Sequence, residues 1–465
     1  MLDGQERSRR AALAAKRVPG LESERVAGIA VTFVDTAGIT RVKGVPLAGF
    51  ERAAAWGVGA TPVFDAFGAD DSIAATPVAN PAGDLRLMPD VERVVRLAGQ
   101  PGWAWAPGDR YTQDGQPHPG CARLLAARMT ERLGAAGLTA LAAFEVEWVV
   151  YRADPTLAHP SPARPVPAAS GPAYGMTRLI ELNDYTVELL RALAAQGVQV
   201  GQLHPEYAPS QFELSVAPEC PVSAADTSVL VRATIRAVAA RHGLAVSFAP
   251  SVSDPGVGNG GHLHLSIARD GDNLFTGGEG TFGLTVEAEA FTAGVLARLP
   301  ALLAVGAPSV SSYLRLLPSH WAGVFTCWGL ENREAAVRLV TGSVGEQDRA
   351  ANVEFKCFDQ SANPYLLVAG VLAAGLAGLE DGARLPEPIH ADPAGLSAEE
   401  RSRVDARRLP EKLAESLSAF EADPVLTGAF GPEFTETIAA VRRAEIEKFA
   451  GASNAEIIEA TRWRY

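Results

Sequence analysis

The sequence predicts an α+β fold in which polar strand faces line a cavity and helices cover the apolar faces. Four short segments alternate polar and apolar residues with the period of two that is typical of a strand: 144–150, 211–216, 262–267 and 353–358. Helical patterns lie at residues 121–136, 181–196 and 224–242. A chain of 465 residues with this content is long enough for two domains, one of them large.

The polar strand faces carry side chains that hard metal ions prefer. The candidate ligands are Glu145, Glu147, Glu206, Glu213, His262 and Glu354, with His264 in reserve. Carboxylates with one imidazole suit magnesium or manganese, whereas zinc and copper sites depend more on histidine and cysteine. We therefore predict two or three such ions in the cavity. The alternative for His262 and His264 is an ordinary hydrogen-bonded pair on a strand.

Three arginines lie between the third and the fourth of these strands in the chain: Arg315, Arg333 and Arg338. Divalent ions with clustered guanidinium groups suit the transfer of a phosphoryl group, because charge spreads over the phosphate oxygens in the transition state. A single arginine of this kind is more often a surface ion-pair partner, so the prediction depends on their grouping. The sequence contains no P-loop motif.

Composition argues against several other classes of protein. The net charge of −13 disfavours a nucleic-acid binder, which needs a dense basic surface. The 4 cysteines show neither metal-clip spacing nor a disulfide framework, which suggests a reducing cytoplasm. The N-terminus lacks an apolar signal core, and the apolar run 366–379 is shorter than a bilayer span, so we expect a buried helix there and no membrane partner.

The N-terminal quarter of the chain is predicted to form a small separate domain. Residues 25–34 and 39–45 resemble an antiparallel pair, and residues 47–56 a helix. The long loop 59–90 carries Asp65, Asp70 and Asp71, which are either functional or part of a solvated acidic turn. A connector rich in proline and glycine, residues 106–120, follows. The domain limits are placed at 20–112 and 118–465.

The motifs together resemble the glutamine synthetase family. The matching pieces are FEVEWVV, HPEYAPSQFE, GVGNGGHLHLSI, SYLRLLP, NREAAVRL and VEFKCFDQSANPYL, in the family's order between residues 138 and 379. The resemblance implies a small N-terminal β-grasp domain. It also implies a catalytic domain with a partial antiparallel β-barrel surrounded by helices. The expected assembly is a dodecamer of two hexameric rings with sites between subunits.

The resemblance also assigns roles. One ion would bind Glu147, Glu206 and Glu213, and a second Glu145, His262 and Glu354. The other assigned positions are His264, Ser266 and Arg338 for ATP, Arg333 near the transferred phosphate, and Gly258, Arg315 and Lys356 for L-glutamate. One of Asp65, Asp70 and Asp71 would correspond to the aspartate that deprotonates ammonium. The implied reaction forms γ-glutamyl phosphate from glutamate and ATP, and then an amide.

One departure from the family pattern bears on the second substrate. Glutamine synthetases carry a glutamate six residues after the position of Arg315, on a flap that helps to bind ammonium, and here that residue is Trp321. We therefore expect a ligase for an organic amine, as in the γ-glutamylpolyamine and γ-glutamylethanolamide branch, with ethanolamine slightly preferred to a polyamine. The alternatives are a true glutamine synthetase, a catalytically silent relative, or an oxygenase holding iron at His262, His264 and Glu354.

Overall fold

The N-terminal part of the chain forms a mixed sheet with two helices packed on it. The computed structural model describes residues 2–153 and 165–465. The first elements are α1 (Gly4–Ser23), β1 (Gly28–Val34), β2 (Thr40–Pro46), α2 (Phe50–Trp56), β3 (Val58–Ala60), β4 (Leu85–Pro89), β5 (Val95–Arg96) and β6 (Trp103–Thr112). The strand order is β2-β1-β6-β4-β3, and β1 and β6 are parallel. Residues of α1, α2 and the sheet share one apolar core, which confirms the predicted β-rich N-terminal part.

Strand β6 continues into residues that were predicted to be a connector. It runs through Pro107 and Gly108 to Thr112. The partner strand of β6 changes between these two residues. Pro107 pairs with Thr32 of β1, whereas Gly108 pairs with Pro89 of β4. Proline has no N–H to donate, but the Pro107 carbonyl accepts a hydrogen bond from the Asp90 N–H at 2.8 Å. The predicted connector was therefore placed too early, because proline and glycine were taken to end the strand.

The larger part of the chain contains two sheets whose strands are mostly antiparallel. Its strands are β7 (Thr139–Phe144), β8 (Val146–Arg152), β9 (Val200–Pro205), β10 (Gln211–Val216), β11 (Leu244–Ser247), β12 (Leu263–Arg269), β13 (Asp272–Asn273), β14 (Trp328–Leu330), β15 (Val337–Val340) and β16 (Asn352–Phe355). One sheet has the order β11-β8-β10-β9, and the other β13-β12-β16-β15-β14, with β7 beside β12. The alternation of polar and apolar residues suggested a single sheet for the four polar strands, and the structure divides them between two sheets.

Glu145 marks the point where the chain passes from one sheet to the other. Phe144 of β7 pairs with Leu263 of β12, whereas Val146 of β8 pairs with Leu214 of β10. The Glu145 N–H donates to the His262 carbonyl at 3.0 Å. The polar faces of both sheets therefore meet beside Glu145 and together form the wall of the predicted partial barrel.

Helices cover the apolar faces of these sheets. The helices of this part of the chain are α3 (Ala122–Ala135), α4 (Met176–Glu181), α5 (Asn183–Ala195), α6 (Pro221–Arg241), α7 (Val286–Gly306), α8 (Ser312–Arg315), α9 (Gln347–Ala350), α10 (Pro364–Asp381), α11 (Ala398–Arg403), α12 (Leu413–Ala422), α13 (Pro424–Phe430), α14 (Pro432–Lys448) and α15 (Asn454–Thr461). Of these, α9 and α11 bury no residue. Leucine, valine and phenylalanine side chains from helices and strands form one continuous core. The α+β prediction is confirmed.

Helices α7 and α10 are the most apolar and pack directly on each other. A Cβ atom on Gly294 of α7 would lie 2.6 Å from the Gly378 Cα of α10, so glycine permits this contact. By length and composition both helices could cross a membrane. However, 78% of the most apolar 18-residue stretch of α7 and 83% of that of α10 are buried inside the protein. They are core helices here, as predicted for residues 366–379.

Candidate active site

Two cross-strand rows of polar side chains face each other across a cleft. On β9, β10 and β8, Glu213 pairs in register with His204 on one side and Glu147 on the other. On β12, β16 and β15, Glu354 pairs with His264 and Arg338. Because side chains directly opposite each other on one face lie close together, each row brings its charges into contact.

The cleft between the rows has a volume of about 860 Å³ and gathers most of the predicted site residues. Those that line it are Glu145, Glu147, Glu206, Glu213, Gly258, His262, Arg315, Trp321, Arg333, Arg338, Glu354 and Lys356. His264 stands just behind them, with its Nε2 3.2 Å from Glu145 Oε1. Ser266 follows two residues along β12, on the same face as His264.

His262 connects the carboxylates of one candidate ion site. Its Nδ1 lies 2.8 Å from Glu145 Oε2 and 3.1 Å from Glu354 Oε1. Burial disfavours the charged form of Glu145, but hydrogen bonds from His262 and His264 outweigh it and lower the pKa of this carboxyl. The three side chains assigned to the second ion by resemblance are therefore in contact.

The other candidate ion site contains more negative charge than its neighbours neutralise. Glu147 and Glu213 lie directly opposite each other on adjacent strands, an arrangement that is destabilising for like charges. Burial, with Glu145 and Glu147 nearby, raises the pKa of Glu213 despite its contact with His204. Burial and Glu147 also raise the pKa of Glu206. A divalent cation would remove this repulsion, so the donor set fits a hard metal ion.

His204 joins this group and was not among the predicted residues. Its Nε2 lies 3.3 Å from Glu213 Oε1 and its Nδ1 3.6 Å from Glu206 Oε1. The hydrogen bond to Glu213 raises the pKa of His204 to about 9. The signal that could have found it is the spacing of two residues between His204, in β9, and Glu206, directly after β9, because alternate residues of an extended chain point to the same side.

The opposite side of the cleft is cationic. Glu354 Oε1 lies 2.9 Å from Lys356 Nζ, and Glu354 Oε2 lies 3.0 Å from Arg338 Nη1. Arg315 donates from Nη2 to the Lys356 carbonyl at 2.9 Å. Its Nη1 is buried and has no hydrogen-bond partner among the described residues. A buried guanidinium N–H without a partner is energetically costly, so this group favours the binding of an anionic ligand such as a carboxylate.

The glycine-dense approach to β12 leaves space at the centre of the cleft. A Cβ atom on Gly260 would lie 2.6 Å from both Glu147 Oε1 and His262 Nε2, and 3.0 Å from Arg315 Nη2. The Gly260 N–H donates to Glu147 Oε2 at 2.9 Å. Glycine is therefore required where the carboxylate side and the guanidinium side of the cleft meet.

Comparison with known proteins decides the family. The family model described as the glutamine synthetase catalytic domain matches residues 119–460, and that of the glutamine synthetase N-terminal domain matches residues 14–117. The chain belongs to the glutamine synthetase family. A curated relative, the γ-glutamylpolyamine synthetase GlnA3 of Streptomyces coelicolor, is 56% identical over 449 residues, which cover 96% of this chain and 95% of the relative.

More distant members of the glutamine synthetase family are also similar. The glutamate–methylamine ligase of Methyloversatilis universalis is 29% identical and covers 90% of this chain and 92% of its own length. A solved structure described as a novel glutamine synthase homologue superposes with a TM-score of 0.82 at 32% identity, covering 95% of this chain and 99% of that one. A solved complex of GmaS with ADP gives a TM-score of 0.80 at 28% identity, covering 94% and 96%.

Aromatic side chains surround the mouth of the cleft. Trp321, the departure from the glutamine synthetase pattern, lines the cleft and is 54% exposed. Tyr174 and Tyr207 line it as well, at 48% and 58% exposure. The two tyrosines were not predicted, because an exposed tyrosine in a loop has no periodic signal. The mouth of the cleft can therefore contact an alkyl chain or an ammonium group.

The three candidate aspartates lie in the N-terminal part and do not line the cleft of this chain. Asp65 is buried, with Oδ2 2.6 Å from Arg110 Nη1 and 3.7 Å from His118 Nε2. Burial opposes its ionisation, but Arg110 and His118 together outweigh burial and lower the pKa of Asp65. Asp70 is paired with Lys448 and Asp71 with Arg41. Cationic partners thus hold all three, and their catalytic role remains a prediction.

Proposed function

We propose that this protein is an ATP-dependent ligase that joins the γ-carboxylate of L-glutamate to an organic amine. The observation that carries the proposal is the order of groups along one cleft. A carboxylate cluster and a cationic wall surround its centre, and the aromatic Trp321 stands at its mouth. Membership of the glutamine synthetase family and the names of the amine ligases among its relatives support the same reaction class.

In the first step, an oxygen of the glutamate γ-carboxylate attacks the γ-phosphorus of ATP. The bond from that phosphorus to the β,γ-bridging oxygen breaks, ADP leaves, and γ-glutamyl phosphate forms. We assign Arg315 and Gly258 to glutamate, since the buried Arg315 Nη1 is available to a carboxylate. Lys356 lies beside the same position. Arg333 is assigned to the transferring phosphate, whose negative charge its guanidinium group stabilises.

In the second step, the amine nitrogen attacks the γ-carbonyl carbon. The bond from carbon to the phosphate oxygen breaks, inorganic phosphate leaves, and the nitrogen loses a proton to a carboxylate. The products are a γ-glutamyl amide, ADP and phosphate.

We assign the carboxylate clusters to magnesium or manganese ions, two or three for each site. Glu147, Glu206 and Glu213 would hold one ion, and Glu145, His262 and Glu354 another. The ions would neutralise charge on the phosphates and the acceptor carboxylate. We assign His264, Ser266 and Arg338 to the nucleotide. The solved GmaS complex with ADP supports a nucleotide site in this fold.

For the amine, we place polyamines first and small monoamines such as ethanolamine second. Similarity to a relative named as a γ-glutamylpolyamine synthetase supports this order, which reverses the slight preference drawn from the sequence. The aromatic mouth supports it as well, because a second ammonium group of a polyamine could stack on Trp321 or Tyr207 while the first amine reacts. Ammonium remains the alternative substrate.

We further propose that the protein assembles as a double-ring dodecamer in the cytoplasm. Within each subunit, we place the end of the N-terminal domain at residue 112 and the start of the catalytic domain at residue 118. In such a ring the loop that carries Asp65, Asp70 and Asp71 would serve the cleft of a neighbouring subunit. This is consistent with its position outside the cleft of its own chain. Native mass spectrometry at a mass twelve times that of the subunit would support the assembly. A monomer that is fully active would contradict it.

Steady-state release of phosphate with a panel of amines tests the proposed function. Purified protein with ATP, glutamate and Mg²⁺ is expected to release phosphate with putrescine, cadaverine, spermidine or ethanolamine at a kcat/KM at least about tenfold above that with ammonium. This corresponds to about 1.4 kcal/mol of transition-state discrimination. Activity with ammonium and with no amine of the panel would identify a glutamine synthetase instead.

A further inference from the structure

The segment that carries Trp321 is held at both ends by hydrogen bonds from one side chain, that of Arg408. Arg408 donates from Nη2 to the Leu316 carbonyl at 2.6 Å and from Nη1 to the Val324 carbonyl at 2.9 Å. The residues between them form a loop, of which Ser319, His320 and Trp321 line the cleft. The base of this loop is therefore closed independently of any ligand.

Inside the loop, two residues adopt a conformation that their side chains disfavour. Ser319 has φ 58° and Trp321 has φ 56°, in the left-handed region where a bulky residue is strained. Such a conformation persists only where the surroundings hold it. Ser319 donates from Oγ to Asp392 Oδ2 at 2.7 Å, and the Trp321 N–H donates to Glu334 Oε1 at 2.8 Å.

Glu334 is placed for this contact by its own partners. Its side chain lies in a mostly buried position, where a carboxylate without a hydrogen bond would be costly. The Glu334 N–H donates to Asn332 Oδ1 at 3.0 Å, and Asn332 in turn donates from Nδ2 to the Ile389 and Ala391 carbonyls at 2.9 and 3.0 Å. The contacts reach the same stretch of chain that supplies Asp392.

We propose that Glu334 is a positioning residue that sets amine specificity by holding Trp321 in its left-handed conformation at the cleft mouth. The inference rests on the proposed function, since it needs Trp321 to stand on the amine side. Glu334 itself does not line the cleft, and it acts through the backbone of Trp321. The neighbouring Arg333 lines the cleft and is the residue assigned above to the transferring phosphate, so adjacent residues would serve the phosphate and the amine.

Glu334→Ala, Glu334→Gln and a control, Glu387→Ala, test this role. Glu387 is an exposed glutamate five residues before Asp392. Because a hydrogen bond to a charged group is stronger than one to a neutral group, Glu334→Ala is expected to raise KM for the amine by about tenfold or more. KM for ATP and glutamate should stay within about twofold. Glu334→Gln keeps an acceptor oxygen and should restore most of the amine affinity, and Glu387→Ala should resemble wild type.

An unchanged KM for the amine in Glu334→Ala, or an equal rise of KM for all three substrates, would overturn the role of Glu334. Glu334→Asp provides a second variant if the alanine variant does not fold. It keeps the charge but is one methylene too short, and the same selective rise is expected. Wild-type turnover of an organic amine is established first. If wild type uses only ammonium, the proposed function itself fails. If it uses amines and the variants match it, only the inference fails.

Discussion

Replacing Glu354 by glutamine is expected to lower kcat for phosphate release by a factor of about 10²–10³, the usual effect of removing one preorganised electrostatic group. Glu354 is buried and contacts the side chains of Lys356, Arg338 and His262. Its carboxylate oxygens lie 2.9 Å from Lys356 Nζ, 3.0 Å from Arg338 Nη1 and 3.1 Å from His262 Nδ1. Glutamine would leave these groups without their shared anion, and the candidate ion would lose a charged ligand.

Glu331→Gln is the matched control for this substitution. Glu331 also contacts Arg338, but its side chain is 46% exposed and it lies outside the cleft lining. Its loss should change activity by no more than about threefold, since exposed ion pairs contribute little. Manganese titration should show a weaker affinity for Glu354→Gln alone, by about 10–100-fold. Equal losses in both variants, or a fully active Glu354→Gln protein, would remove Glu354 from the proposed ion site.

Replacing Asp65 by asparagine is expected to destabilise the protein by about 3–5 kcal/mol, because it leaves Arg110 as a buried charge without its partner. The side chains of Asp65 and Arg110 are 4% and 2% exposed. The pKa of Asp65 is lowered in the folded protein. Its contribution to stability is therefore present at neutral pH and lost as the pH falls through that lowered pKa. Chemical denaturation at pH 7 measures the difference in the free energy of unfolding.

Asp71→Asn separates this structural effect from a general effect of charge. Asp71 pairs with Arg41, but its side chain is 58% exposed, so a change below about 1 kcal/mol is expected. An unchanged free energy of unfolding for Asp65→Asn would show that the pair with Arg110 does not stabilise the fold. Activity of Asp65→Asn, measured at a temperature at which it is folded, then reports whether Asp65 also serves catalysis.

The sequence identified the carboxylate-rich strands because the period of two determines directly which side chains share a face. Glu145 and Glu147, Glu213, and Glu354 with Lys356 were found in this way, and the structure brings them to one cleft. The helix at residues 366–379 was recognised from another local feature, a continuous apolar run that was predicted to be buried. These features are encoded within a few neighbouring residues.

Other features depend on partners that are distant in the sequence. The change of sheet at Glu145 is determined by pairing with strands more than 60 residues away, and the partner of Asp65 is Arg110, 45 residues later. Trp321 was singled out by type, but its backbone conformation and its bond to Glu334 were not foreseeable. Tyr174 and Tyr207 reach the cleft from loops that have no periodicity.

The most direct measurement is a competition for the acyl phosphate, resolved by product mass. The protein is incubated with ATP, Mg²⁺, ¹³C-labelled glutamate and equimolar ammonium, ethanolamine, putrescine and spermidine, and the labelled products are identified by mass spectrometry. We expect γ-glutamyl polyamines to dominate, with γ-glutamylethanolamide second and little glutamine. Labelled glutamine as the main product would contradict the assignment of this cleft to an organic amine.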